Sequence, residues 1–327
     1  MKTILLVLLC ANLYSQLYSS KVNNETSDKF EMTRFYIQTW LSEASNDCPI
    51  ISSSCLKEKI LDDWSNKHKQ YQIVSVRKPI DYKTAGHIPH AINIYWIDIV
   101  TDESFSLLDS QKTIVLYCYY GHGSMISCTI LSLLGYRCYS LDFGMMDWNL
   151  DALVKEPYDQ MADYDVEKTV NLSIESYTTP VIMSDQTDSK NIIKEMARKY
   201  LAGDGSPIIR SSDVKAIVDN CDFKKAEYQI VDVRLERDYE SGHVPNAINI
   251  PWLRIAENEN LRKLDPHKTV IVCSDNGQLG QLASTILNML GYNSVNMLFG
   301  MLDWNKAYVD NHNQCDGVNR YPVEYGN

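Results

Sequence analysis

A chain of 327 residues with 45% hydrophobic and 22% charged residues has the composition of a globular protein of about two domains. Its formal net charge of −11 excludes the broad basic surface that nucleic-acid binding requires. No long-range field draws anions inward, so an anionic substrate must be caught by local dipoles.

Lys2 precedes an unbroken apolar run from Ile4 to Ala11, and small residues follow at Ser15, Ser19 and Ser20. This pattern predicts a signal peptide over residues 1–20 and export to a periplasm or the extracellular space, without fixing the cleavage point. The run is shorter than the roughly 20 residues of a membrane span. Large Leu9 before Cys10, and the shortness of the run ahead of it, argue against a lipid anchor there. Export permits disulfides among the remaining cysteines. Cys48 and Cys55 flank Pro49-Ile-Ile51 and are expected to form a local bridge. Cys221 and Cys315 have no counterparts in the other half of the chain, and Cys128 and Cys138 read as small buried hydrophobes.

Residues 21–31 are polar. A helical pattern over Met32–Ser42 follows, then a Ser-rich start at Ser52-Ser-Ser54 suited to a helix N-cap. Gln72–Val76 reads as a strand, Asp81–Gly86 as a short helix and turn, and Ala91–Ile94 as a second strand. The apolar run Thr113–Tyr117 is expected to be a strand buried on both faces. Ile126, Thr129, Ile130, Leu133 and Leu134 then fall at helical spacing, from about Ser124, and Gly135 ends that helix.

All of this recurs. Tyr71–Arg77 returns as Tyr228–Arg234, Gly86–Ile94 as Gly242–Ile250, and Phe143-Gly-Met-Met-Asp-Trp-Asn149 as Phe299-Gly-Met-Leu-Asp-Trp-Asn305. Tyr164-Asp-Val-Glu167 returns as Tyr321-Pro-Val-Glu324, and the second copy has its own leading helix at Ile192–Leu201 and Ser-rich start at Ser211-Ser212. A repeat this long is a duplicated domain rather than a solenoid unit. The expected organisation is domain 1 over 50–167, a linker and leading helix over 168–206, and domain 2 over 207–324. Each is an α/β domain with a small, mostly parallel sheet flanked by helices.

The chemistry concentrates at Cys118, where strand Thr113–Tyr117 ends. Ligands of such sheets bind beyond the carboxyl ends of the strands. Tyr119, Tyr120, Gly121, His122, Gly123 and Ser124 form the loop into the next helix and are the candidate substrate-binding residues. A thiol facing unpaired N–H groups and the positive end of a helix dipole has its thiolate stabilised, with a pKa of ~3.5–7.5 in place of ~8.5. The alternative is a cysteine packed as a small hydrophobe at a strand end.

The combination Val-Arg…Asp-Tyr…Gly-His-Ile-Pro-His-Ala-Ile-Asn-Ile, strand–Cys–loop–helix and Phe-Gly-Met-Met-Asp-Trp-Asn resembles the rhodanese (sulfurtransferase) family, and both copies carry it. The resemblance implies tandem rhodanese-like domains with Cys118 as the sulfur-accepting nucleophile. It would pass a sulfane sulfur from thiosulfate or a persulfide to a thiol or cyanide. No metal or organic cofactor is implied, and the partners are a small sulfur donor and a thiol acceptor, or a protein persulfide. Where many family loops carry arginines for thiosulfate, this chain has Tyr119 and Gly123, leaving His122 as the loop's only potential cation.

Cys273 is a possible second site. Counted from it, the second loop runs one residue longer to Gly291, and Asp275 is expected to raise its thiol pKa and repel anions. Arg77 with Asp81, and Arg234 with Asp238, read as structural ion pairs. His87 and His243 read as turn or hydrogen-bonding residues rather than metal ligands, and Trp148 and Trp304 as core cover. Ser75 standing where Asp232 stands shows that this acid is not required by the fold. The competing function is a catalytically weak binding or scaffold module on the same fold. Phosphatase or arsenate reductase chemistry is disfavoured, because no arginine closes the loop after either cysteine.

Overall fold

The structure is a computed structural model describing residues 29–43, 48–155, 162–173, 175–220, 227–309 and 319–326. The expected signal segment with Cys10, and also Cys221 and Cys315, lie outside the described residues. Two separate five-stranded parallel sheets account for the repeat. The first comprises β1 (Ile50–Ile51), β2 (Tyr71–Ser75), β3 (Ile92–Asn93), β4 (Thr113–Tyr117) and β5 (Arg137–Leu141), in the order β1-β5-β4-β2-β3. The second repeats it with β6 (Ile208–Ile209), β7 (Tyr228–Asp232), β8 (Ile248–Asn249), β9 (Thr269–Cys273) and β10 (Asn293–Met297), in the order β6-β10-β9-β7-β8. The tandem α/β organisation expected from the sequence is therefore present, with β4 as read.

The two loop helices, His122–Leu133 and Gln278–Met289, pack against each other at the centre of the molecule. Each begins earlier than its apolar spacing suggested. The first is buried on every side, with only Gly123 less than fully covered, which fits a helix caught between its own sheet and a second domain. One apolar cluster runs through both repeats, and the leading helices (residues 29–43 and Ser189–Leu201) close it with Phe30, Ile37, Ile192 and Ile193. Cys128 and Cys138 lie in it as buried thiols.

The ends of the two repeats are exchanged. The segment after repeat 1 lies on repeat 2, where Trp304 Nε1 donates to the Asp165 carbonyl at 3.0 Å and Asn305 Nδ2 to the Tyr164 carbonyl at 3.0 Å. The chain end lies on repeat 1 in the same way: Trp148 Nε1 donates to the Pro322 carbonyl at 3.0 Å and Asn149 Nδ2 to the Tyr321 carbonyl at 2.7 Å. Trp148 and Trp304 do cover the core, both at 0% exposure. His87 and His243 are hydrogen-bonding residues as expected, each stacked on a tyrosine ring with Nδ1 on that tyrosine's carbonyl.

Several sequence expectations need correction. Arg77 does not pair with Asp81. Its guanidinium is fully buried and bonds the Gly86 and Ala152 carbonyls at 2.5 and 3.2 Å, while Asp81 accepts from the Tyr119 hydroxyl. Arg234 pairs with Asp232 at 2.7 Å rather than with Asp238, which takes the neighbouring Arg237. The side chain after the strand points back into the sheet end, towards residue i−2, and not along the following helix. The Cys48–Cys55 bridge is not formed. Cys55 keeps its thiol and turns towards the core, whereas Cys48 is exposed. In the second copy Arg210, not Ser211 or Ser212, occupies the N-cap of helix Ser211–Asp219 and makes no capping hydrogen bond.

Candidate active site

β4 delivers Cys118 to the end of the first sheet, where it is 6% exposed. Gly121, at φ +90°, turns the chain so that its own N–H points back at the sulfur, 3.2 Å from Sγ. The Ser124 hydroxyl lies 3.7 Å from the same sulfur and 2.8 Å from Ser140 Oγ. Gly123 leaves the space above the sulfur open, since a Cβ there would sit 3.7 Å from Sγ. The repeated Phe-Gly-Met-Met motif holds this loop from below. The Met145 and Met146 N–H groups donate to the Cys118 and Tyr119 carbonyls, both at 3.0 Å. Gly144 is required for that approach, because a Cβ would meet the Cys118 carbonyl at 2.5 Å.

The remaining loop side chains divide. Tyr120 packs edge-on to Phe299 of repeat 2, and the Tyr119 ring carries Lys155 Nζ at 5.2 Å from its centroid. Burial drives the Tyr119 hydroxyl's pKa upward, and its bond to Asp81 adds to this, so it stays protonated. His122 is not the cation expected from the sequence. Burial lowers its pKa to about 4, and its Nε2 accepts the Phe299 N–H across the domain interface at 3.4 Å. Gln278 answers it from the other side, accepting the Phe143 N–H at 3.0 Å. Each plug fills the space over the opposite loop's glycine: a Cβ on Gly277 would touch His122, and one on Gly121 would touch Gln278.

That reciprocity fixes the register of the second loop, and it differs from the one read in the sequence. The Val76 N–H bonds the Tyr117 carbonyl, and the Val233 N–H bonds the Cys273 carbonyl, both at 2.9 Å. Cys273 is therefore the counterpart of Tyr117, the last strand residue. Its side chain points into the core at 0% exposure, 3.9 Å from Met297 Sδ. The residue matching Cys118 is Ser274, whose Oγ accepts the Gly277 and Gly280 N–H groups at 3.1 and 3.0 Å. The two loops are equal in length. The Cys273 thiol pKa is indeed raised, but by burial first and then by Asp232, not by Asp275.

Cys118 opens on a cleft of about 990 Å³ between the repeats. Trp96, Tyr119, Tyr120, Ile126, Leu298 and Phe299 make its walls largely apolar, and two cations line it, Lys155 and Arg210. Arg210 and Gln281, also on the wall, were not singled out from the sequence. The signal available was a difference between the copies: by strand register Arg210 matches Ser52, and by helix position Gln281 matches Met125. Among the described residues no group of three or more His, Cys, Asp and Glu is placed to hold a metal, and no helix is long and apolar enough to cross a membrane.

The family model for the rhodanese-like domain matches residues 58–151 and 212–307, together more than half of the chain, and the chain belongs to that family. A Bacillus subtilis protein, YtwF, provisionally named a sulfurtransferase, is 35% identical over 99 residues, which is 30% of this chain and 87% of that one. The thiosulfate sulfurtransferase PspE of Escherichia coli is 36% identical over 74 residues, covering 22% of this chain and 70% of PspE. Among solved structures, a rhodanese-like domain protein from Staphylococcus aureus aligns at 26% identity, covering 33% of this chain and 92% of that one, with a TM-score of 0.26.

Proposed function

We propose that the protein is a sulfurtransferase in which Cys118 carries the transferred sulfur and repeat 2 is a non-catalytic partner. The observation that carries this is the setting of Cys118 Sγ: it accepts the Gly121 N–H at 3.2 Å and faces an open cleft over Gly123. The thiolate attacks the sulfane sulfur of a donor such as thiosulfate. The donor's S–S bond breaks, sulfite leaves with the bonding pair, and Cys118 becomes a persulfide. A thiol or cyanide acceptor then attacks the outer sulfur, and the electron pair returns to Cys118. Gly121 N–H and the open first turn of helix His122–Leu133 favour the anionic sulfur at each stage.

Mass spectrometry of the protein after exposure to thiosulfate or inorganic polysulfide tests this. One added sulfur on the Cys118 peptide is expected. An unmodified Cys118 with every donor would leave the scaffold alternative. Export rests on residues 1–20 alone, and N-terminal sequencing of protein recovered from the medium or periplasm checks it; a chain that still begins at Met1 would reject it.

A further inference from the structure

Helix His122–Leu133, which carries the Cys118 loop at its start, lies on β5 through a line of small side chains. Ser124, Cys128 and Ser132 recur at every fourth residue of the helix, and Cys138 and Ser140 alternate along the strand, so they meet in layers. In the upper layer Ser124 Oγ lies 2.8 Å from Ser140 Oγ. One turn down, the Cys128 and Cys138 thiols are in hydrogen-bond contact, and the Ser132 hydroxyl reaches Cys138 from below. We propose that Cys128 and Cys138 are an oxidation site that closes to a disulfide and pins this helix to its sheet. Nothing in this bond depends on the chemistry at Cys118.

The second repeat supplies the spacing. Strand register places Ser294 beside Val270 as it places Cys138 beside Ile114, and the matched helices put Ser284 where Cys128 stands. Ser294 Oγ lies 3.0 Å from Ser284 Oγ. Side chains that meet at that distance as serines stand across a gap of the kind a disulfide bridges, and longer Cβ–S bonds bring two sulfurs closer still. The layer is matched within each copy, two hydroxyls in repeat 2 and two thiols in repeat 1. The hydroxyls are satisfied by hydrogen bonds, to each other and to the Val270 carbonyl at 3.1 Å. Thiols are weak donors and weak acceptors and gain little from the same contact. What a facing pair of them can do, and a pair of serines cannot, is form a covalent bond.

The bond forms by exchange with a disulfide oxidant such as oxidised glutathione. The thiolate of Cys138, the more exposed of the two at 8% against 0%, attacks one sulfur of the oxidant, and the other sulfur leaves with the bonding pair. The Cys128 thiolate then attacks Cys138 Sγ and expels the remaining half of the oxidant as a thiolate. Both cysteine protons end on the released thiols, so one disulfide is reduced as another is made. Burial, and after it the contact with Cys128, raises the Cys138 thiol pKa, which keeps the thiolate scarce once the chain has folded. Closure therefore belongs to folding, and the finished bond is shielded from reductants.

The test is refolding of the full chain, reduced and unfolded, in a mixture of reduced and oxidised glutathione. Thiols are then blocked under denaturing conditions and tryptic peptides are mapped by mass without reduction. Cleavage after Arg137 separates the two cysteines. A linked peptide pair is expected, with fragmentation placing the bond between Cys138 and Cys128 rather than Cys118. Blocked thiols at both positions, or either cysteine joined to a different one, would overturn the proposal. Wild type refolded with glutathione should also unfold at a urea midpoint about 1 M above wild type refolded in dithiothreitol, because the cross-link restricts the unfolded chain. The double variant Cys128→Ser with Cys138→Ser copies the layer of repeat 2 and should show no such difference. A wild-type midpoint indifferent to the refolding mixture, or a double variant that gains as much as wild type, would overturn it equally.

Discussion

The Cys118 and Ser274 loops share one backbone and differ in what stands on it. Both turn through a glycine at positive φ, Gly121 and Gly277, and both are held from below by two N–H groups of the Phe-Gly-Met motif. In repeat 1 the cradled atom is a sulfur under an open glycine. In repeat 2 it is a hydroxyl, 2% exposed at its residue, with Leu279 where Gly123 leaves space. The comparison separates what the scaffold needs, an anchored turn of N–H donors, from what chemistry needs, a polarisable nucleophile with room above it.

The comparison breaks most sharply at the nucleophile. Cys118→Ser is expected to abolish sulfur transfer, whereas Cys273→Ser, which changes a core residue outside the loop, should leave most of it. Ser274→Cys in the Cys118→Ser background should restore little, because Leu279 still covers the site, and adding Leu279→Gly should raise the recovered rate. Activity is read as thiocyanate formed from thiosulfate and cyanide. Full activity of Ser274→Cys without the Leu279 change would show that room above the sulfur is unimportant.

The buried arginines give the next largest effect. Arg234 is neutralised by Asp232, both side chains at 0% exposure, while Arg77 has Ser75 in that place with Nε 3.4 Å from its Oγ. Asp232→Ala leaves a buried guanidinium without its carboxylate and is expected to cost about 3 kcal/mol in denaturant unfolding. A change below about 1 kcal/mol would mean that carbonyl bonds of the kind holding Arg77 suffice in repeat 2 as well.

The interface plugs differ in titration. His122 has a pKa of about 4 in the folded protein against 6.5 when unfolded, because burial penalises the imidazolium. Between those values the unfolded chain binds the extra proton. This contribution to stability is therefore intact above pH 6.5, falls as the pH drops through the window, and is gone by pH 4. Its full size is about 3 kcal/mol, reduced by any water that reaches the ring. Asp142, raised to about 7 chiefly by burial, slopes the opposite way over the same range. The wild-type curve alone therefore does not isolate His122. His122→Gln copies the plug of repeat 2, and the difference between the two stability–pH curves should grow from pH 4 to 6.5. Parallel curves would rule the titration out.

How far these features could be seen in the sequence depended on how local they were. Strand, cysteine, loop glycines and helix stand within about 20 consecutive residues, and the duplication repeats them, so the fold and the place of Cys118 at the end of its strand are legible directly. β1 is two residues long, and β5 mixes Arg137 and Ser140 with apolar residues, so neither carries a periodic signal. Residue type alone pairs Cys273 with Cys118, whereas strand register pairs it with Tyr117. Gly135 lies as far beyond Cys118 as Gly291 lies beyond Ser274, and that spacing identifies the serine. Arg210 and Gln281 line the same cleft as Cys118 only through the packing of one repeat on the other, which no local pattern encodes.

The smallest expected effect lies at the two N-caps. Ser52 and Arg210 occupy the same N-cap position, and only the serine caps. A Ser-to-Ala change at a cap typically costs about 1 kcal/mol. Ser52→Ala should therefore destabilise the protein by about 1 kcal/mol, because the Cys55 N–H loses the hydroxyl it donates to. Arg210→Ser should change stability by less, because the Asp213 N–H that a serine hydroxyl there would accept already donates to the Arg210 carbonyl at 3.1 Å. Both are measured as shifts in the urea midpoint at constant m-value. A gain of about 1 kcal/mol from Arg210→Ser would show that the carbonyl bond satisfies the start of this helix less well than the serine hydroxyl does in repeat 1.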